Sequence, residues 1–470
     1  MIPFFPQQIS ARALSTYFIS LGLISLVFWS YAMSMMYFVL GVAWVSGFFL
    51  LTSRWSQDWC EVSQDRYISS VFSIAFVLRV VWVIASYFYY QRITGIPFEI
   101  DAADSIGYHE EAAEIATLSW SDVILYSFGP RMAANGISDV GYPLYLSTIY
   151  RIFGSNILIP RIIKALLSTF TCYLLYKLSS RTFGEKTGRM IGIMATLMPN
   201  LVIYCGYHLK ETEMLFLEVW FLERLDVLLR NRKLNILTIL IPTILAGSLF
   251  LFRTVLGAAA IFAAATGVLL STAPGMKVGW RRVALIGWGV MSLVVLGRGT
   301  AMTEIEGLWE QKEENVVNQR AQQTFRGNKW AKYATGSVMA PMVFVLPLST
   351  FVSIEGQENQ LTKHSGNYIR NFMGFFVLLA IFNAVKRKKW RDFAMIGAFT
   401  IAYLGVVSMS GFSNAERFLL PGLPGLIMMW GYGVSTLSPK SLRLLTPWCF
   451  IVFAMEFGWA FFKLGSRGLF

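Results

Sequence analysis

The chain runs to 470 residues, 55% of them hydrophobic and only 14% charged, where an ordinary soluble domain is about 25% charged. Aqueous packing cannot hide apolar side chains spread along the whole length, so a soluble globular protein is excluded and the principal solvent is lipid. Forty Lys and Arg against 27 Asp and Glu give a net charge of +13; in such a chain the excess belongs to short cytoplasmic connections rather than to nucleic-acid recognition. Cys60, Cys172, Cys205 and Cys449 form neither a CxxC pair nor a disulfide framework.

Crossing the hydrocarbon core takes about 20 apolar residues. Candidate stretches fall near residues 13–31, 33–52, 68–90, 162–180, 189–206, 212–229, 234–252, 255–272, 283–298, 369–385, 393–410, 418–436 and 444–463. The expected fold is all-α, a polytopic integral membrane protein with about 12–13 transmembrane helices. The first run, behind Arg12, is too long for a signal peptide and reads as an uncleaved span. One set of connections holds Arg181, Lys186 and Arg189, then Arg230, Arg232 and Lys233, then Lys277, Arg281 and Arg282, then Lys386 to Lys389 with Arg391, then Lys440 and Arg443. These belong in the cytoplasm, and the opposite connections carry little beyond Lys210, Arg253 and Arg417. The stretch from Val338 to Phe351, broken by Pro341 and Pro347, is expected not to cross, because counting it would move the 386–391 cluster outside.

The chain therefore divides into N-terminal helices (1–90), a first extracytoplasmic loop (91–161), central helices (162–298), a second extracytoplasmic loop (299–368) and C-terminal helices (369–470), with interfacial helices expected in both loops. Acidic residues gather in the loops, among them Glu99, Asp101, Asp104, Glu110, Glu111, Glu114 and Asp139 in the first. There, Asp101 or Asp104 suits the N-cap of a helix that puts Tyr108, Ala112 and Ile115 on one face and turns Glu110, Glu111 and Glu114 away. The second loop mixes Trp309, Arg320, Arg326, Lys329, Trp330, Lys332 and Tyr333, suited to sugar stacking and anionic groups or to a solvated interfacial helix. Arg79 and Glu218 lie within spans without evident partners.

Asp104 with Tyr108 four residues later is followed by Gly141-Tyr142-Pro143-Leu144-Tyr145, an aromatic helix ending Phe153-Gly154, and Arg161 heading a span that ends Arg181-Thr182-Phe183-Gly184. Near the end, Asn414-Ala415-Glu416-Arg417-Phe418-Leu419-Leu420-Pro421 heads a late span. This order resembles the GT-C glycosyltransferases, in particular the group of protein O-mannosyltransferases and the lipid A aminoarabinose transferase, over roughly residues 68–260 and 393–430. The resemblance implies transfer of a sugar from a polyprenyl (undecaprenyl) phosphate to an acceptor hydroxyl, with inversion, on the extracytoplasmic side of a membrane, here expected to be the periplasmic face of a bacterial inner membrane.

Such a transfer needs a carboxylate to take the acceptor proton and fixed cations for the departing phosphate. Asp104 matches the family's motif aspartate and is the expected base, with Asp101, one turn earlier, in reserve. Lys210, Arg253 and Arg417, each at a boundary of an apolar run, are expected to converge on the lipid phosphate, or else to pair with Glu211, Glu213 or Glu416. Tyr108 is expected to pack its helix onto the membrane domain, and His109 to contact substrate or sit at the interface. The family's Glu and Arg near the motif aspartate are replaced by Ser105 and Gly107, and its Lys-Pro-Pro by Gly141-Tyr142-Pro143, which leaves Lys210 or Arg161 to take over phosphate contacts.

No zinc site is expected, since His109-Glu110-Glu111 is not a His-Glu-x-x-His arrangement. No tightly bound cofactor is expected either, and a requirement for a divalent ion stays open. The expected partners are the lipid-linked donor, membrane lipids and a glycan, lipid or protein acceptor. A polysaccharide polymerase or O-antigen ligase, and a multispanning transporter or lipid flippase, are the alternative classes.

Overall fold

The computed structural model describes residues 2–231, 235–270, 342–409, 415–465 and 468–469. Its helices in chain order are α1 (Gln7–Val27), α2 (Met35–Asp58), α3 (Gln64–Thr94), α4 (Ala103–Thr117), α5 (Trp120–Phe128), α6 (Pro130–Asn135), α7 (Gly141–Phe153), α8 (Leu158–Phe183) and α9 (Glu185–Leu197). They continue with α10 (Pro199–Ile203), α11 (Glu211–Arg230), α12 (Ile236–Phe252), α13 (Thr254–Leu270), α14 (Glu358–Lys386), α15 (Ala394–Met409), α16 (Glu416–Leu419), α17 (Leu423–Ser435) and α18 (Pro439–Gly465). Among the described residues there is no strand, only an isolated bridge between Ala32 and Val352. Lipid cannot satisfy backbone N–H and C=O groups, so a chain this apolar must close its hydrogen bonds within helices.

Among the described residues, eight helical segments are long and apolar enough to cross a membrane: α1, α2, α3, α8, α14, Trp390–Ser408, Glu416–Ser435 and α18. The protein is thus a polytopic helical membrane protein. Large apolar side chains such as Phe18, Leu26, Phe88 and Phe450 point outward without cover, as a lipid-facing surface requires. The count falls short of the dozen or more that hydropathy predicts, for physical reasons. Residues 189–206 form a pair, α9 and α10, bent by 54° where Pro199 withholds its N–H. Helix α11 has the length but carries Glu211, Glu213, Glu218, Glu223, Arg224, Asp226 and Arg230. The helices α12 and α13 reach only 17 residues each, and the expected span at 283–298 lies outside the described residues.

Close helix contacts depend on small residues. A Cβ on Gly433 of α17 would lie 2.2 Å from the Phe376 carbonyl oxygen of α14, and one on Gly366 of α14 would lie 1.6 Å from Asn200 Oδ1. Arg79, fully buried in α3, is satisfied there by Ser168 Oγ at 2.7 Å and by carbonyls of α3 and α9, including Ala75 O at 3.1 Å. That makes Arg79 a clasp between helices. Glu218 is buried with Oε2 unpartnered.

Residues 342–357 contain no α-helix, so the described part of the stretch expected not to cross, 342–351, forms no spanning helix. Its backbone is nevertheless buried, and α14 supplies the missing hydrogen bonds. Asn371 accepts from Ser349 N at 3.0 Å and donates to Val345 O at 2.6 Å and Pro347 O at 2.9 Å. Irregular backbone is tolerated at such depth only when protein groups satisfy it. The rest of the expected second loop up to residue 341, including Trp309, Arg320, Arg326, Lys329, Trp330, Lys332 and Tyr333, lies outside the described residues.

Between α3 and α8 the chain folds into α4 to α7, seated over one end of the long helices. Ala112 and Ile115 of α4 are buried while Glu110 and Glu114 are exposed, as the periodicity predicts; Glu111, expected to turn away with them, is instead drawn inward by its ion pair with the buried Arg131 of α6. Arg151 of α7 closes the end of α4, donating to Ile115 O at 3.0 Å and to Leu118 O. The expected N-cap by Asp101 or Asp104 does not form: the cap position is Ala102, with no side-chain hydrogen bond. Asp101 instead takes a left-handed backbone with φ 55°, a conformation that Asp accepts more readily than most residues. Asp104 falls inside the first turn, where its charge complements the helix dipole.

Candidate functional site

Chain reversal brings one set of helix ends together: the end of α3, the starts of α8, α11, α14 and α16, the α12–α13 junction and the end of α18. Three cations expected from the sequence meet there. Arg417 Nε binds Glu211 Oε1 while its Nη1 binds Asp104 Oδ2. Arg253 approaches the same Glu211 oxygen at 3.7 Å, donates to Tyr403 Oη at 2.9 Å and lies 4.7 Å from the Phe418 ring. Lys210 sits one residue before Glu211 in the chain. It binds Asp139 and donates to Phe252 O at 2.8 Å.

The centre of this group is a carboxylate. Glu211 is fully buried at the start of α11, and a buried charge must be paired. Arg417 and Arg253 do that, so the alternative of acidic partners for these cations is realised alongside their convergence. Asp104 remains the outermost member. Its side chain is 59% exposed against 21% for Arg417, and the Arg417 bond uses only one of its two oxygens.

Tyr108 ties α4 to its neighbours in the first loop, where packing onto the membrane domain is expected: its hydroxyl donates to Asp139 Oδ1 at 3.1 Å and its ring meets Tyr142 edge-on at 5.0 Å. Burial works against ionisation of Asp139, but the Lys210 ammonium and the hydrogen bonds from Lys210 and Tyr108 prevail and hold the carboxyl below its usual range. For Lys210 the balance is reversed, since burial lowers its affinity for a proton by more than Asp139 restores. Lys210 is only 4% exposed and anchors the turn at Asp139, whereas its expected role is that of a phosphate ligand.

Arg161 does not join the cluster. It is fully buried behind α4, its guanidinium 5.8 Å from the Phe98 ring and without a hydrogen-bond partner. It therefore stands apart from the three boundary cations, in a position where the expected phosphate contact would have to be made from the interior. His109 also turns inward. Its Nδ1 is 2.7 Å from Tyr150 Oη, which is 3.0 Å from His208 Nε2. The histidines look scattered in sequence, yet two of them share a tyrosine. Burial lowers the pKa of His109 and, aided by Lys164 and Arg161, lowers that of His208 well below the ordinary value. Both rings are therefore neutral hydrogen-bonding groups near neutral pH.

Beside Arg417 opens a cleft of about 240 Å³, walled by Asp101, Asn359, Lys363, Asn367, Glu416, Arg417 and Trp459 among others. Asp101 thus reaches the cleft directly, and Asp104 reaches it through Arg417. Glu416 is anchored by Asn200 Nδ2 and by the Tyr204 hydroxyl at 2.7 Å, which ties the bend at α10 to the cleft wall. Lys363 lies 3.4 Å from Glu416 and above the rings of Tyr204 and Tyr207, at 5.7 and 5.9 Å.

Sequence reasoning missed Lys363, Asn367 and Asp139 as site members. The signal for the first two exists: Lys363, Asn367 and Arg370 recur at helical spacing, marking a polar face on a helix that starts at Glu358. Among the described residues no three His, Cys, Asp or Glu side chains are grouped to hold a metal ion. The chain matches no protein-family model, no curated protein and no solved structure.

Proposed function

We propose that the protein is a membrane glycosyltransferase of the GT-C type, moving a sugar from a polyprenyl phosphate to an acceptor hydroxyl on the side of the membrane where α4 to α7 lie. On this reading that side is the periplasmic face of a bacterial inner membrane, since the connections at the opposite end are the basic ones. The single observation that carries the proposal is the meeting of Asp104 with Arg417, 313 residues apart in the chain, beside a cleft at the end of the apolar helices. A proton acceptor and a fixed cation at a membrane boundary are what the reaction requires.

In the proposed step Asp104 takes the acceptor hydroxyl proton, and the oxygen attacks the anomeric carbon from the face opposite the phosphate. The bond from that carbon to the phosphate oxygen breaks, its electron pair leaving with the polyprenyl phosphate, and the configuration inverts. Arg417 supplies a charge that does not have to reorganise as the phosphate gains its own. Asp101, exposed on the cleft wall, is the carboxylate to examine next. No cofactor enters the step, the donor is the lipid-linked sugar, and the acceptor is a glycan, lipid or protein hydroxyl.

The test uses the purified chain in lipid nanodiscs with a panel of undecaprenyl-phosphate sugars, measuring free undecaprenyl phosphate with water or an added alcohol as acceptor. Release by the wild type that falls by at least about a hundredfold in Asp104→Asn is expected, the low end for a lost general base. Undiminished release in Asp104→Asn transfers the role of base to Asp101. Absence of release from every donor contradicts the proposed reaction.

A further inference from the structure

Most charges around the cleft already have partners among the described residues. Lys363 faces Glu416 at 3.4 Å, and Arg417 is held by Asp104 and Glu211. Lys463 of α18 donates to Thr350 Oγ1 at 3.1 Å and to Gln357 Oε1 at 3.0 Å. Among the described residues, the buried polar atoms that lack a partner on the same walls are neutral: Oδ1 of Asn359, Oδ1 of Asn367 and the indole Nε1 of Trp459. Asn367 is 6% exposed. A buried polar atom without a partner is rare in a folded protein, and here three of them stand around one opening.

Their chemistry discriminates between ligands. Arg417 is the cation assigned to the phosphate in the proposed step; a second anion needs a further unpaired cationic donor, and among the described residues the other cation of this wall, Lys363, already faces Glu416. An ammonium group needs an unpaired carboxylate; Asp101 has no ion pair among the described residues, but it is exposed at the rim, where water solvates it. Two amide acceptors and one N–H donor instead suit hydroxyls, each of which both donates and accepts. The Trp459 ring already has Phe462 stacked against it at 5.8 Å and the Lys463 ammonium at 5.5 Å, so the indole offers its N–H more than a stacking face. The Asn359 amide is fixed on one side by its Nδ2–H bond to Ile100 O, whereas χ2 of Asn is a broad torsion that lets Asn367, whose side chain makes no hydrogen bond among the described residues, turn its amide to a ligand. The volume, about 240 Å³, lies below the roughly 300–1,000 Å³ typical of drug-sized pockets and so suits a single ring.

We infer that the cleft is a subsite for one neutral, polyhydroxylated sugar ring, with Asn359, Asn367 and Trp459 as its specificity-determining residues. The inference rests on the proposed transfer reaction for its purpose, but its ligand chemistry is argued from the cleft alone.

The test is ligand-observed saturation-transfer NMR on the full chain in nanodiscs, with methyl glucoside, methyl mannoside and methyl galactoside compared with methyl glucosaminide and methyl glucuronide. Saturation of at least one neutral hexoside is expected, weakened about three- to tenfold in Asn367→Ala and in Asn359→Ala, the range for one lost neutral hydrogen bond. Thermal unfolding of each variant confirms that it is folded, and two separate asparagines keep the result from resting on one variant. Saturation of no neutral hexoside, stronger saturation of the ammonium or carboxylate sugar, or equal binding by folded wild type and both variants overturns the inference. Hexoside binding without any release of undecaprenyl phosphate removes the donor proposal and leaves the subsite standing. Release without hexoside binding does the reverse.

Discussion

The two ends of the helix bundle both carry buried ion pairs, and they use them differently. At the basic end Arg181 binds Glu223 at 2.9 Å and Asp226 at 2.8 Å, Arg230 binds the same Asp226 at 2.8 Å, and Arg189 holds the Trp59 and Val62 carbonyls at 2.8 and 2.6 Å. Those cations tie α8 to α11 and α9 to the α2–α3 turn. At the other end the cluster around Glu211 reaches outward through Arg417 to the exposed Asp104 and borders a cleft with unpartnered neutral groups. The same interaction serves as a rivet in one place and as the fixed charge of a site in the other. What separates them is whether a chain of pairs terminates at an exposed carboxylate beside open volume.

Substitutions at the two ends sharpen that contrast. The largest effect is expected for Arg417→Gln, which removes the cation beside Asp104 and leaves Glu211 with Arg253 at 3.7 Å; release of undecaprenyl phosphate should fall by about 10²–10³, as for loss of one preorganised donor, with Arg417→Lys intermediate because it lacks the guanidinium fork. Arg181→Gln is next. It leaves the fully buried Glu223 with Arg224 alone, costs about 1–3 kcal/mol, and should lower the thermal midpoint without lowering activity per folded molecule.

A smaller effect concerns pH. Because the folded-state pKa of Asp139 is lowered, its contribution to stability is complete above the unfolded value of about 3.9 and is lost as pH falls through the folded value. Thermal midpoints of wild type and Asp139→Asn should differ at pH 6, and the gap should narrow as pH drops below about 4. The smallest effect is expected for Lys186→Ala, whose partner Glu61 is 81% exposed: surface pairs of this kind contribute little, and no measurable change in thermal midpoint is predicted.

Much of the site is legible in the sequence because lipid makes charge conspicuous. Lys210, Arg253 and Arg417 stand out as cations at the boundaries of apolar runs, and all three do gather at one end. Glu211 is legible for the same reason. The partition of roles among them is not, since it depends on which carboxylate each side chain meets: Lys210 turns to Asp139, a residue 71 positions away, while Arg417 spans Glu211 and Asp104. Arg161 shows the opposite limit, a boundary cation that burial under Phe98 removes from the cluster. The helix α14 begins eleven residues before the expected span at 369, because Lys363, His364, Asn367 and their polar neighbours lower the local hydropathy. Of these, Lys363 and Asn367 stand on the cleft wall, so part of what hides the helix from a hydropathy reading also builds the site.

The most direct measurement places the two ends side by side: release of undecaprenyl phosphate in nanodiscs by wild type, Asp104→Asn and Arg181→Gln, normalised to folded protein. The account predicts a loss of about a hundredfold or more in Asp104→Asn and wild-type turnover in Arg181→Gln. Turnover unchanged in Asp104→Asn, or an equal loss in both variants, contradicts it.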